Sequence, residues 1–405
     1  MESVTKLKPD FYREVINESA GLKGYIVVHR QANGIATGGI RMAPNVTLDE
    51  IANLAYEMTM KYAFFKIKKD GAKAGITTSG LETDEQKKVL RKAFGEEIND
   101  LIGGGKYFPG QDLGTNAADL QEILFGAGIH FVKRKDEIDS AYFTAFTVYL
   151  TLREILSARN RNIKETSFII EGFGKVGEHL AKLVFADGGK ILGLSTVDGA
   201  VFDARGLDVI KMSNLKAEYG DRAVKQYDKD TEIPKEELFS READVFIPGA
   251  RPDSINPENA GDLKFKVIVP IANIAATQEV EQMLYKREII FVPGFVSNAG
   301  GILSYYFSEQ RFDNETVKDI ILNGFSANVG RLIAEAKDRG RSIPDVARER
   351  CSHNMQLVEK ERNMSFIEKT SLPRMLWMFY KFLAKVKADA LLRKFAVKYI
   401  TNRHF

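Results

Sequence analysis

The sequence holds a single cysteine, Cys351, in 405 residues. No internal disulfide is possible, and that usage fits a reducing compartment. Histidine is scarce too: the five are scattered, and no Cys/His/Asp group has ligand spacing, so no metal is assigned. Neither sign of charge dominates. The 58 basic and 55 acidic residues leave a formal net charge of +3, too balanced for a nucleic-acid binder. No apolar run is long enough to span a bilayer and the N-terminus shows no signal peptide, so a soluble cytoplasmic protein is expected. Internal repeats, low-complexity tracts and flexible linkers are also missing.

What is present is an ordinary globular composition, 44% hydrophobic and 28% charged, in a chain long enough for two domains. Residues 167–198 organise it. An apolar run, Phe168-Ile169-Ile170, turns through Gly172-Phe173-Gly174-Lys175-Val176-Gly177 into an amphipathic segment and a second apolar run, Ile191-Leu192-Gly193-Leu194. That is the strand–turn–helix–strand length of a βαβ crossover. Gly172 suits a tight turn, Gly174 lets backbone approach a pyrophosphate, and Gly177 lets helix pack on strand. The N–H groups of Lys175 and Val176 open the helix where an anion binds.

Ahead of it, residues 1 to about 24 read as helix-rich, 24–30 as the first strand and 34–44 as a glycine-rich turn. Thr47, with Glu50 completing a capping box, opens a long helix that delivers Lys61 near its end. Lys73 follows in a glycine turn before a short strand at 75–78, and Asp112 lies in a second glycine turn ahead of a helix that Thr115 or Asn116 caps. After 167–198, strands at 245–247, 267–269 and 289–292 alternate with helices or loops, the pattern of a parallel doubly wound sheet. Two lysines and an aspartate converging on a cleft suit oxidative deamination. One cation holds a carboxylate, a lysine with lowered pKa polarises a carbonyl or activates water, and the aspartate shuttles a proton. The plain alternative is that all three are solvated helix-end residues.

The ordered motifs Gly38-Gly39-Ile40-Arg41-Met42, Met58-Thr59-Met60-Lys61, Gly71-Ala72-Lys73-Ala74-Gly75-Ile76, Asp112-Leu113-Gly114-Thr115, the glycine fingerprint, and Ser297-Asn298-Ala299-Gly300-Gly301 resemble the glutamate/leucine/phenylalanine/valine dehydrogenase family. The likeness covers nearly all of residues 20–350. It implies an α/β, two-domain amino acid dehydrogenase fold. An N-terminal substrate and oligomerisation domain (1–140, completed by C-terminal helices 346–405) would precede a Rossmann-like dinucleotide domain (141–345). It implies NAD or NADP as cofactor, an amino acid or its 2-oxo acid and ammonia as small-molecule partners, and a hexameric homo-oligomer. By the same resemblance Lys61 binds the substrate α-carboxylate, Lys73 is the catalytic lysine and Asp112 the proton carrier. Gly39 lies against substrate, with Asn273 and Asn298 near the nicotinamide end.

Departures from the family pattern matter equally. Thr144-Ala145-Phe146-Thr147 stands for Thr-Gly-x-Gly, so Ala145 and Thr147 thicken backbone beside the cofactor. Thr196 replaces the acid that binds ribose, with Asp198 two residues on, which leaves NADP open. Pro270-Ile271-Ala272-Asn273-Ile274 keeps only Ala-Asn of its motif, and Gly294 replaces an aspartate. Thr37 replaces the lysine that holds a glutamate side chain, and Tyr305 replaces the serine that assists it, beside Ser304. A neutral amino acid is therefore the expected substrate. The alternatives are a glutamate dehydrogenase in which Lys66, Lys68 or Lys69 supplies the missing cation, and a non-catalytic nucleotide-binding regulatory paralogue. The basic, aromatic tail at 372–405 reads as a closing helix on the first domain rather than a membrane-surface helix.

Overall fold

A computed structural model describes residues 8–130, 138–250, 252–363 and 390–405. These form two compact units, the first from residues 8–130 and 351–363, the second from 138–350 and 390–405.

The first unit is a five-stranded sheet: β1 (Phe11–Asn17), β2 (Leu22–Val28), β3 (Ala36–Pro44), β4 (Asp70–Thr78) and β5 (Tyr107–Gln111), in the order β1-β2-β4-β3-β5. β3, β4 and β5 run parallel, while β2 is antiparallel to both β1 and β4. The N-terminal segment is thus a hairpin, not helix. Phe11, Arg13, Val15 and Asn17 face inward or half-inward while Tyr12, Glu14 and Ile16 face out, the period-two alternation of a strand with one wet face. Residues 36–44 form a strand rather than a turn. Gly38 is required there because a Cβ would stand 1.6 Å from the Ala72 carbonyl oxygen of β4. Lys73 likewise lies within a nine-residue strand that opens at Asp70.

Helix α1 (Leu48–Phe64) makes the crossover from β3 to β4. Thr47 caps it by accepting from the Glu50 N–H at 3.2 Å, but the Glu50 carboxylate turns to Arg41, so only half of the capping box forms. Ile51, Leu54 and Ala55 are buried against the sheet, each large aliphatic contributing about 2 kcal/mol. Helices α2 (Asp84–Glu97) and α3 (Ala117–Gly126), the latter capped by Asn116, cover the core around Phe94 and Ile123.

The second unit opens with α4 (Ser140–Ser157) and builds a seven-stranded sheet in the order β12-β11-β10-β6-β7-β8-β9. Its parallel part is β6 (Ser167–Glu171), β7 (Lys190–Thr196), β10 (Val245–Pro248), β11 (Val267–Ile268) and β12 (Ile290–Phe291). β8 (Gly199–Phe202) and β9 (Glu232–Ile233) add an antiparallel edge, so the sheet is mixed rather than wholly parallel. α5 (Lys175–Ala186), α6 (Val209–Tyr219), α7 (Gln278–Lys286), α8 (Gly300–Glu309), α9 (Asn314–Ile320) and α10 (Ser326–Asp338) complete it.

Helix α11 (Ile343–Asn363) contributes its residues 351–363 to the first unit, where Asn354 donates to the Phe64 carbonyl and Cys351 lies buried beside Met60. The last helix, α12 (Ala390–His404), packs elsewhere than the sequence suggests. Ala396, Ile400 and His404 are buried, and Phe405 sits on Gly324 in the second unit. Residues 372–389 of the tail lie outside the described residues. Among the described residues no helix is long and apolar enough to cross a membrane.

Candidate active site

Three parallel strands and one helix bring Lys61, Lys73 and Asp112 together in the first unit. Lys73 projects from β4, and Asp112 opens the turn after β5. That turn is pinned to β3: Met42 N–H donates to the Leu113 carbonyl at 2.9 Å, and the Thr115 hydroxyl donates to the Ile40 carbonyl at 2.8 Å. Gly114 has φ +76°, and a Cβ there would lie 1.8 Å from the Met42 carbonyl oxygen, so only glycine fits. Gly39 is required for the same approach, since its Cβ would meet Asp112 Cβ at 2.8 Å. Lys73 Nζ lies 2.8 Å from Asp112 Oδ1, and Arg41 Nε 2.9 Å from Oδ2.

Burial sets the protonation chemistry. Lys61 and Lys73 are 5% and 3% exposed, far from the solvated helix-end residues of the plain alternative. Desolvation pulls the Lys61 ammonium down to about 8, helped by the charge of Lys73 and opposed by Glu57 and Asp112. Lys73 is lowered chiefly by burial and then by Arg41, against the opposing pull of Asp112. For Asp112 burial acts upward, but the charges and hydrogen bonds of Lys73 and Arg41 outweigh it and hold the carboxyl at about 2. At neutral pH the site therefore holds an ionised carboxylate between cations, one of which releases its proton more easily than a free lysine.

Thr37 is buried on β3 and its hydroxyl meets the Tyr62 hydroxyl. Tyr107 donates to the Gly38 carbonyl at 2.8 Å, and burial, with the charge of Asp112, raises its phenol well above the ordinary value. Lys68 turns to Glu361 at 2.8 Å, and Lys69 lines a separate hollow with Arg30, Asn33, Met355 and Arg362. Arg41, Tyr62 and Tyr107 were missed as site residues. Arg41 stands within a recognised motif, but no spacing signals that it meets Asp112 seventy-one positions on.

The glycine fingerprint in the second unit has three distinct environments. Gly172 has φ +96°, the left-handed conformation that favours glycine. A Cβ on Gly177 would stand 2.0 Å from the Gly172 carbonyl oxygen, so helix packs on turn only without one. Gly174, the N-cap of α5, has nothing within 4 Å of a built Cβ. That space is what a pyrophosphate on the helix N-terminus needs. Lys175 is exposed and Val176 half-buried in the first turn. Phe173 is fully buried and its N–H donates to Ser195 O at 2.6 Å, so it anchors β6 to β7.

The other second-unit residues divide by how far their groups are committed. Asn298 donates to the Ile271 and Ala272 carbonyls at 2.8 and 2.9 Å, while its buried Oδ1 has no hydrogen-bond donor. Such an acceptor fits a carboxamide like that of nicotinamide. Asn273 is half-buried beside Gly294, where a Cβ would lie 2.4 Å from the Asn273 carbonyl oxygen; the family aspartate has no room. Thr144 donates to Ser140 O, and the Thr147 hydroxyl accepts from Gly300 N–H at 3.0 Å, with Ala145 fully buried. The Thr196 hydroxyl donates to Asp221 O at 2.6 Å and accepts from Asp198 N–H at 3.2 Å. Ser304 is buried on Gly301 O, whereas Tyr305 is 46% exposed. Among the described residues no cluster suited to a metal ion occurs.

Known proteins resemble this chain over most of its length. The family model described as Glutamate/Leucine/Phenylalanine/Valine dehydrogenase matches residues 138–353, and that of its dimerisation domain matches 11–125. A glutamate dehydrogenase of Thermotoga maritima is 31% identical over 302 residues, 70% of this chain and 71% of the relative. An NAD-specific glutamate dehydrogenase of Staphylococcus aureus is 28% identical over the same shares. Among solved structures, the hetero-hexameric glutamate dehydrogenase of Thermus thermophilus in a leucine-bound form aligns with TM-score 0.75 at 23% identity, covering 90% of this chain and 92% of that one. The L-tryptophan dehydrogenase of Nostoc punctiforme gives 0.60 at 23% identity, over 89% and 99%. The chain belongs to the glutamate/leucine/phenylalanine/valine dehydrogenase family and is an NAD(P)-dependent oxidoreductase of amino acids.

Proposed function

We propose that this enzyme oxidatively deaminates a neutral L-amino acid to its 2-oxo acid and ammonium, or runs the reverse reductive amination. Thr37 carries the reading. A γ-carboxylate placed beside it meets hydroxyls of Thr37 and Tyr62 instead of a cation, and burying it there costs several kcal/mol of lost solvation. The ion pair of Lys68 with Glu361 of α11 supports the same conclusion.

Lys61, buried and protonated below about 8, holds the α-carboxylate. Asp112 takes the proton from the substrate ammonium and returns one to the departing amine. Lys73 Nζ, 2.8 Å from Asp112 Oδ1 and acting in its uncharged form, takes the proton of the attacking water. It passes that proton to the carboxylate once the carboxyl has given its own to the amine. A bound nicotinamide dinucleotide would supply what side chains cannot, a hydride acceptor for the substrate Cα. Gly174, the first turn of α5 and the Asn298 carboxamide would hold it.

Thr196 in place of an acid removes a repulsion against a 2′-phosphate, and Lys235 Nζ, on the Val197 carbonyl at 2.9 Å, sets a cation beside that strand end. NADP binding is expected no worse than about tenfold below NAD, or ~1.4 kcal/mol. The dimerisation-domain match and a hetero-hexameric relative support an oligomer, and a homo-hexamer is expected by resemblance. The single buried cysteine suits work in the cytoplasm. The test is a swap: Thr37→Lys should shift kcat/KM toward glutamate by roughly 10- to 100-fold. An unchanged preference would count against Thr37 as the discriminating position.

A further inference from the structure

We infer that Arg41 is the positioning residue of the proton carrier: it clamps one oxygen of Asp112 and confines proton traffic to the other. The inference rests on Asp112 as that carrier. Both oxygens of the carboxylate are taken by cations from neighbouring strands, Oδ1 by Lys73 Nζ of β4 at 2.8 Å and Oδ2 by Arg41 Nε of β3 at 2.9 Å. The two cations differ in chemistry. A guanidinium stays protonated throughout the working range, so it orients and polarises without exchanging protons, whereas a buried ammonium exchanges them readily. A proton arriving at Asp112 therefore has one productive address, the oxygen facing Lys73.

Arg41 is itself held. Its side chain is 6% exposed, and a second nitrogen pairs with Glu50 in the first turn of α1. The Asp112 backbone is fixed independently, its N–H donating to the Thr115 hydroxyl at 3.0 Å. The guanidinium is thus free to set the carboxylate plane rather than the loop. The ionisable groups around the pair are Lys61, Glu57, Glu50 and Tyr62 of α1, Lys73 of β4 and Tyr107 of β5. Within that set Arg41 acts on Asp112 and Lys73 in one direction, holding both below where they would otherwise titrate.

The test is steady-state kinetics over pH, with whichever of leucine, valine, alanine or glutamate the wild type turns over fastest. Arg41→Gln should lower kcat roughly tenfold or more and move the acid limb of the kcat–pH profile upward. Arg41→Lys keeps the charge but not the planar fork, and should restore that limb while recovering only part of kcat, with little change in KM. Added to Asp112→Asn, Arg41→Gln should cost no further activity. An acid limb that stays in place in Arg41→Gln, or losses that multiply in the double variant, would overturn the inference and leave Arg41 a structural residue. Should Arg41→Gln not fold, wild-type kcat in Arg41→Lys would overturn it equally. Near wild-type turnover in Asp112→Asn alone would instead strike at the proton-carrier reading beneath it.

Discussion

At the scale of single residues, the proposed chemistry depends on charged groups held away from water. Lys73→Ala and Asp112→Asn should each lower kcat by roughly 10² or more, the worth of a positioned acid–base group. Near-full turnover in Lys73→Ala would contradict this. Lys61→Ala should mainly raise KM, because its contact is the same in ground and transition states. The lowered pKa of Lys61, about 8, gives this a pH signature. The ammonium is present below about 8 and lost above it, so KM for the amino acid should climb as pH rises past that value. A flat KM between pH 7 and 9.5 would remove Lys61 from carboxylate binding. That these three residues come together was legible because each sits in an ordered motif. Arg41, Tyr62 and Tyr107 were not, since each works through a partner on a different strand or helix, and sequence spacing carries no record of such meetings.

Among elements, the fingerprint turn offers the cleanest contrast. Gly174 and Gly177 differ by three positions, yet one faces open space and the other the Gly172 carbonyl oxygen at 2.0 Å. Gly174→Val should leave thermal stability near wild type and abolish dinucleotide binding in calorimetry. Gly177→Ala should instead lower stability by about 1–3 kcal/mol through overpacking. Unchanged affinity in a folded Gly174→Val protein would contradict the cradle. A second element-level test concerns Glu281 of α7, buried against Arg348 of α11 at 2.5 Å. Burial pushes its carboxyl up from 4.5 to about 7 despite that arginine. Its contribution to stability is therefore present below about 4.5 and lost as pH rises through 7. Glu281→Gln should flatten the fall in melting temperature between pH 5 and 8, and an identical slope in both proteins would refute this.

Element type was legible where a period was long and apolar, as in α1, α4 and the βαβ unit. It failed at β1, where charged Arg13 and Glu14 broke up the alternation. It failed again at β3, where glycines that read as a turn are demanded by close strands. Glycine in a central strand and glycine in a loop look alike until the neighbour they accommodate is known.

For the whole molecule, the chain divides into two compact units near residue 138. The destination of the last helix was not legible, because an apolar stripe specifies burial and not a partner surface. Its described part closes on Tyr306, Phe307 and Gly324. Light scattering should return about six chain masses if the assembly follows its hexameric relative, and a monomer would contradict the oligomer reading. The substrate assignment is the central claim, and wild-type kinetics test it most directly. With NAD⁺ and NADP⁺ in turn, kcat/KM should be higher for at least one of leucine, valine or alanine than for glutamate. Glutamate preferred over every neutral amino acid would contradict the account and return the missing cation to the pocket.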